Sequence, residues 1–215
     1  LSLDDPISKI LPDYPKPQGD QVTIHHLLTH TSGIPSYTGI PGFMEEHVRD
    51  PFEPDSFARL FWSLPLEFDP GARWAYNNSG YYLLGVVIER VTGQPYDVAL
   101  RERILDPLGL DDTGYDHYGQ VVERKALGYR GVAGAYEHAA YLDSAVPYAA
   151  GMMYSTVEDL LKWDQALQGT GPFQRASTLE LFQRPFEDAG PGMRYGYGWF
   201  FRDLPVGADT LAVIE

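Results

Sequence analysis

Pro70-Gly71-Ala72-Arg73-Trp74-Ala75-Tyr76-Asn77-Asn78-Ser79-Gly80-Tyr81-Tyr82-Leu83-Leu84-Gly85 carries more structural information than any other stretch of this 215-residue chain. Asp69-Pro70-Gly71 has turn composition, since proline presets one dihedral and glycine accepts a positive one. A short extended run follows, then Tyr76-x-Asn78, then a helix predicted over Ser79–Thr92 with Asn78 as its N-cap. Gly93 stands where a left-handed residue closes a helix, and Pro95 comes soon after. Tyr81 to Ile88 is apolar nearly all round, which predicts burial on most sides.

Working outward, residues 1–20 hold Pro6, Pro12, Pro15 and Pro17 and read as an extended connector. Ile24, Leu27 and Leu28 have the spacing of one face of a short helix over Thr23–His30, ended by Ser32-Gly33. Phe43–Asp50 and Asp55–Leu64 read as two more, the second capped by Asp55 or Ser56. Beyond the central helix, Tyr96–Leu105 is predicted helical and closed by Pro107-Leu108-Gly109. Residues 113–150 are irregular, with short strands expected near Ala126–Tyr129. Ser155-x-x-Glu158 and Ser177-x-x-Glu180 are capping boxes, opening helices to Leu167 and Arg184. Tyr195–Phe201 and Thr210–Ile214 read as strands. The expected fold class is mainly α: a helical domain over 21–190, then strands over 191–215 returning to a sheet.

Sixteen Lys and Arg against thirty Asp and Glu leave a net charge of −14. That surface repels phosphate backbones and anionic lipid, so nucleic-acid and membrane-surface partners are disfavoured. Apolar content of 44% and aromatic content of 13% are globular values. A chain of this size buries roughly 70% of the surface its unfolded form exposes. The absence of cysteine excludes disulfides, thiolate metal sites and a cysteine nucleophile. No run approaches the ~18 apolar residues of a membrane span. Leu1-Ser2-Leu3-Asp4-Asp5-Pro6 has no signal-peptide pattern, and its opening without Met suggests a fragment.

A tyrosine serves as a base only if its pKa falls from about 10 toward 7, which needs ~4 kcal/mol of phenolate stabilisation from a nearby cation. Sequence position supplies none beside Tyr76. Taken alone, Tyr76-x-Asn78 is a weak signal and reads more readily as a packed tyrosine next to a helix cap. His26 and His30, at i and i+4, invite a metal reading, but Leu27 occupies the position where a zinc protease needs glutamate. No third ligand stands out, so a polar helix edge is the better reading and no cofactor is expected. Gly196-Tyr197-Gly198 is followed by neither lysine nor a helix start, so it is not a phosphate loop. No Gly-x-Ser-x-Gly elbow occurs.

Five ordered segments together resemble the serine β-lactamase and penicillin-binding-protein-like superfamily, in its branch of class C β-lactamases, esterases and D-aminopeptidases. They are Leu1 to Ile7; Ile24-His25-His26-Leu27-Leu28-Thr29-His30-Thr31-Ser32-Gly33-Ile34-Pro35; Pro70 to Gly85; Ala150 to Leu160; and Tyr195-Gly196-Tyr197-Gly198-Trp199. The resemblance implies part of an α/β fold of the β-lactamase/transpeptidase type. It also implies a serine acyl hydrolase of bacterial origin, acting on a small amide, ester or lactam in the periplasm or outside the cell. By the same resemblance, Tyr76 would be general base and acid, and Asn78 would hydrogen-bond the catalytic lysine and the substrate amide. The family's nucleophile motif, Ser-x-x-Lys, does not occur in these residues. It is expected before Leu1, and the strand motif Lys-Thr-Gly or His-x-Gly after Glu215. The chain alone is therefore expected to be inactive, with unpaired strand edges that favour self-association. The alternative is a non-catalytic binding module derived from the same fold.

Overall fold

The computed structural model describes residues 1–170, 180, 182, 184–207 and 209–214. Its first twenty residues are not an extended connector. A 3-10 turn at Ile7–Lys9 and helix α1 (Gln18–Gln21) fold them back. Ile7 N–H bonds the Val22 carbonyl at 2.9 Å. Ile7, Leu11 and Tyr14 are buried in the core. The prolines punctuate turns, and the apolar residues between them supply burial worth roughly 1.5–3 kcal/mol per side chain.

Helix α2 (Ile24–Leu28) is shorter than predicted. Thr23 caps it, accepting from His26 N–H, while His26 Nδ1 accepts from Thr23 N–H at 3.2 Å. The chain then leaves the helix, and His30 takes a left-handed φ of 58°. His26 and His30 therefore do not share a helical face. Helix α3 (Phe43–His47) and helix α4 (Pro54–Trp62) follow. The start of α4 corrects the expected cap. Pro54 occupies its first turn with Glu53 before it and no side-chain cap, and Asp55 instead pairs with Arg90. Proline's fixed φ suits that position, where an N–H would lack a helical partner anyway.

Helix α5 (Asn78–Thr92) is the spine. Tyr82, Leu83, Val86 and Val87 are buried, and the Tyr82 ring stacks on Phe57 of α4 with centroids 4.7 Å apart. Gly93 ends the helix with φ 71°, as the sequence implied. Its N-cap is Asn77, not Asn78: Asn77 Oδ1 accepts from Gly80 N–H at 2.8 Å. Helix α6 (Tyr96–Leu100) widens into a π turn at Arg101–Leu105 and runs on as α7 (Asp106–Leu108) to a left-handed Gly109. The loosened turn takes up Pro107, which has no N–H to donate.

Strand β1 (Gly114–Tyr115) will pair with a later strand. β2 (Tyr129–Val132) and β3 (Ala135–His138) form an exposed hairpin, beginning three residues later than the expected Ala126. Ala133 and Gly134 both have positive φ, 49° and 85°, and a two-residue turn of that kind fixes the register. β4 (Met153–Tyr154) pairs antiparallel with β1. Helix α8 (Val157–Gln165) is capped by Thr156, one residue beyond the expected Ser155, and passes into a wider turn over Ala166–Thr170. Ser155 Oγ instead bonds Thr113 Oγ1 at 2.8 Å. The register is set by Asp159, whose carboxylate accepts from Asp112 N–H and Thr113 Oγ1–H, both at 2.9 Å. The box opened by Ser177 lies outside the described residues.

The chain ends in a four-stranded antiparallel meander: β5 (Glu187–Gly190), β6 (Met193–Tyr195), β7 (Phe200–Val206) and β8 (Asp209–Ile214). The single strand expected over Tyr195–Phe201 is broken at Gly196–Gly198, where Gly198 has φ 85°. Strand β8 contains the expected run Thr210–Ile214. With 37% helix and 17% strand among the described residues, the expected mainly α class is only loosely met.

Candidate active site

The N-terminus of α5 is tied to the loop 30–38 by polar side chains from both. Asn77 Nδ2 donates to the Ile34 carbonyl, and Ser79 Oγ donates to the Pro35 carbonyl at 2.7 Å while accepting from Tyr37 N–H at 2.9 Å. Asn78 N–H donates to Ser36 Oγ at 3.2 Å, and Asn78 Nδ2 to Thr38 Oγ1 at 3.0 Å. Backbone bonds extend the clamp: Ala75 N–H reaches the His30 carbonyl at 2.9 Å, and Gly71 N–H reaches that of Thr31 at 2.8 Å. Gly33 permits this close approach, because its φ is 74° and a Cβ there would overlap the Phe68 carbonyl oxygen.

On this platform Tyr76 is 55% exposed, and its hydroxyl makes no hydrogen bond among the described residues. Its ring lies 4.6 Å from the His30 ring. Tyr81 and Tyr195 pack on the same imidazole at 4.8 Å, but they are hydrogen-bonded to each other at 3.1 Å. Burial pushes both of their phenols up, which unfits them as bases near neutral pH. Of the three phenols on His30, Tyr76 is the one open to solvent. Asn78 is half-buried, one residue inside the helix. Because Asn77 does the capping, the Asn78 carboxamide is not consumed by α5.

His30 is 2% exposed, and burial drives its imidazole down to about 4. Its Nδ1 accepts from Asn77 N–H at 3.1 Å, so it is a neutral ring with its proton on Nε2 at neutral pH. Neither His26 nor His30 is left for a metal, and no cluster of three or more His, Asp or Glu able to hold an ion occurs among the described residues.

Sequence reasoning missed Ser36, Thr38, Asn77 and His30 as the support of Tyr76 and Asn78. One signal was available: two Ser/Thr residues two apart, following Gly33-Ile34-Pro35, form a loop able to accept from a helix start. A His-x-Gly tripeptide does occur, at His117-Tyr118-Gly119, but not on a strand as the family motif requires. It lies in a turn, with His117 Nε2 2.8 Å from Asp97 of α6 and its ring on Tyr115. It is thus tied to the far end of the helical body and not to the start of α5.

The helical body followed by an antiparallel sheet superposes on a penicillin-binding protein from Bacillus halodurans with a TM-score of 0.81 at 31% identity, covering 94% of this chain and 63% of that one, which gives it a β-lactamase/transpeptidase-like fold. The chain belongs to the Beta-lactamase family, which it matches over residues 1–212. It is 31% identical over 220 residues to penicillin-binding protein 4* of Bacillus subtilis, covering 95% of this chain and 48% of that protein. Esterase EstB of Burkholderia gladioli is 30% identical over 251 residues, covering 98% of this chain and 63% of the esterase. The solved structure of a D-stereospecific amidohydrolase from Streptomyces superposes with a TM-score of 0.82 at 31% identity, covering 95% of this chain and 64% of that one. The chain spans about half to two thirds of these proteins' lengths.

Proposed function

We propose that this chain carries the tyrosine side of a serine acyl-hydrolase site. Tyr76 takes the proton from the attacking seryl hydroxyl as oxygen bonds to an amide, ester or lactam carbonyl. The same phenol then delivers that proton to the leaving nitrogen or oxygen. Asn78 orients the lysine that stabilises the phenolate, together with the substrate amide. The observation that supports this most is the contrast among the three phenols on His30: Tyr195 is buried, Tyr81 is half-buried and bonded to it, and Tyr76 alone is exposed.

No Ser-x-x-Lys occurs in these residues, so the nucleophile and its lysine come from outside them. The 215-residue chain should take no covalent label from a fluorescent penicillin and should not hydrolyse an aryl ester. Labelling or turnover would overturn that claim. In a form of the protein that also carries Ser-x-x-Lys, Tyr76→Phe should lower kcat by ~10²-fold or more. Wild-type turnover by that variant would remove Tyr76 from the chemistry.

We also propose that the exposed strands of the terminal sheet drive self-association. Among the described residues β8 pairs only with β7, and Leu211 and Ile214 are about half exposed.

A further inference from the structure

The geometry points to His30 as the positioning residue for Tyr76, acting through the Asn77 amide; this rests on the role proposed for Tyr76. Three observations converge on it. First, a bulky residue in the left-handed region costs about 1–2 kcal/mol, and His30 is held there at φ 58°. Second, that conformation lets one residue bond the segment before α5 twice. The His30 carbonyl accepts from Ala75 N–H at 2.9 Å, and Nδ1 accepts from Asn77 N–H at 3.1 Å. These two amides flank Tyr76 in sequence, so both of its neighbours are pinned by the same residue. Third, the imidazole backs the Tyr76 ring on one side and is itself fixed by Tyr81 of α5, Tyr195 of β6 and Trp74.

Packing alone would explain an apolar ring at position 30. It would not explain a ring nitrogen turned onto a backbone N–H within the site, in a residue 2% exposed. Only the unprotonated Nδ1 can accept that bond, so the neutral imidazole is the working state. The titratable groups facing it are Tyr76, Tyr81 and Tyr195, and burial pushes the phenols of the last two up. Losing Nδ1 would leave a buried N–H unpaired and allow the 75–77 backbone to shift. Tyr76 would then sample several rotamers, and its hydroxyl would no longer be held at one point.

The test uses the 215-residue chain and needs no turnover, so it can fail while the hydrolase reading stands, and the reverse. His30→Phe keeps a ring but removes the acceptor; His30→Asn keeps an acceptor at the Nδ1 position. By nuclear magnetic resonance at neutral pH, His30→Phe should speed amide exchange at Asn77 about tenfold. It should also average the Tyr76 χ1 couplings, while amides in the middle of α5 stay as protected as in the wild type. His30→Asn should return the Asn77 rate to within about threefold of wild type. Unchanged exchange and couplings in His30→Phe would overturn the assignment. So would a uniform acceleration along α5, which marks a purely structural role. If His30→Phe does not fold, His30→Asn decides: exchange at Asn77 accelerated about tenfold despite the retained acceptor would equally refute it.

Discussion

The helical body and the terminal sheet solve burial in opposite ways. In the body, α5 is surrounded: Tyr82 and Leu83 are fully buried, and rings from α4 and from the loop at Tyr148 close on them. In the sheet, the end of β6 and the start of β7 reach the body, through Tyr195 against His30 and Phe200 against Trp74, beside the buried Phe201. Beyond it, Leu204, Val206 and Leu211 stand 40%, 57% and 57% exposed. Pro205 fits this arrangement, because β6 pairs with β7 only as far as Arg202, leaving one side of Pro205 without a neighbouring strand. The body has a closed core around α5, whereas the far half of the sheet has none, and its β8 edge carries no partner strand besides β7 among the described residues. Tyr76 and Asn78 belong to the first kind of structure, on a rigid support.

The sharpest way to break this contrast is to attack the support. Gly33→Ala combines a positive φ with backbone overlap that no side-chain rotation relieves, and should cost roughly 4 kcal/mol or abolish folding. Urea unfolding measures it, and a cost under about 1 kcal/mol would mean that the 30–38 loop is not rigid.

Next in size is acid. The unfolded imidazole of His30 binds its proton near 6.5 and the folded one only at about 4. Between those values the unfolded state holds more protons, so stability is full above the upper value and falls as pH drops through the window. The loss from His30 reaches about 3 kcal/mol below the lower value. Removing the imidazole in His30→Asn should flatten this part of the pH–stability curve, and an unchanged slope would refute the assignment.

Gly85→Ala should be milder, about 2 kcal/mol. An added Cβ would lie 2.5 Å from the Ala149 Cβ and collide with the Tyr148 ring, partly offset by alanine's better helix propensity. Thermal unfolding reads it directly.

The smallest effect on stability belongs to the sheet. Leu211→Lys should leave unfolding within about 0.5 kcal/mol of wild type while reducing self-association seen by light scattering. A wild-type chain that is a clean monomer would sink the self-association proposal.

Much of the body was legible because its signals are local. The apolar run from Tyr81 to Ile88, the left-handed Gly93 and the order of five family-like segments needed no distant partner. Registers one residue off were not legible. Asn77 and Asn78 have equal capping chemistry, and only the Ile34 carbonyl decided which one turns inward. Ser155 lost its cap to Thr156 because Asp159 is held by Asp112 and Thr113, 47 and 46 residues away in the chain. Prolines in the first twenty residues suggested extension, yet Ile7, Leu11 and Tyr14 between them go to the core.

By itself the sequence determined which segments could be helix or strand, the family, and which phenol and carboxamide to examine, since propensity, pattern and motif are written along the chain. Only the tertiary structure decided that Tyr76 stays exposed while Tyr81 and Tyr195 do not, and that His30 leaves its helix to hold the neighbours of Tyr76. Exposure and long-range hydrogen bonds depend on which surfaces meet, and that is settled by packing between residues dozens of positions apart.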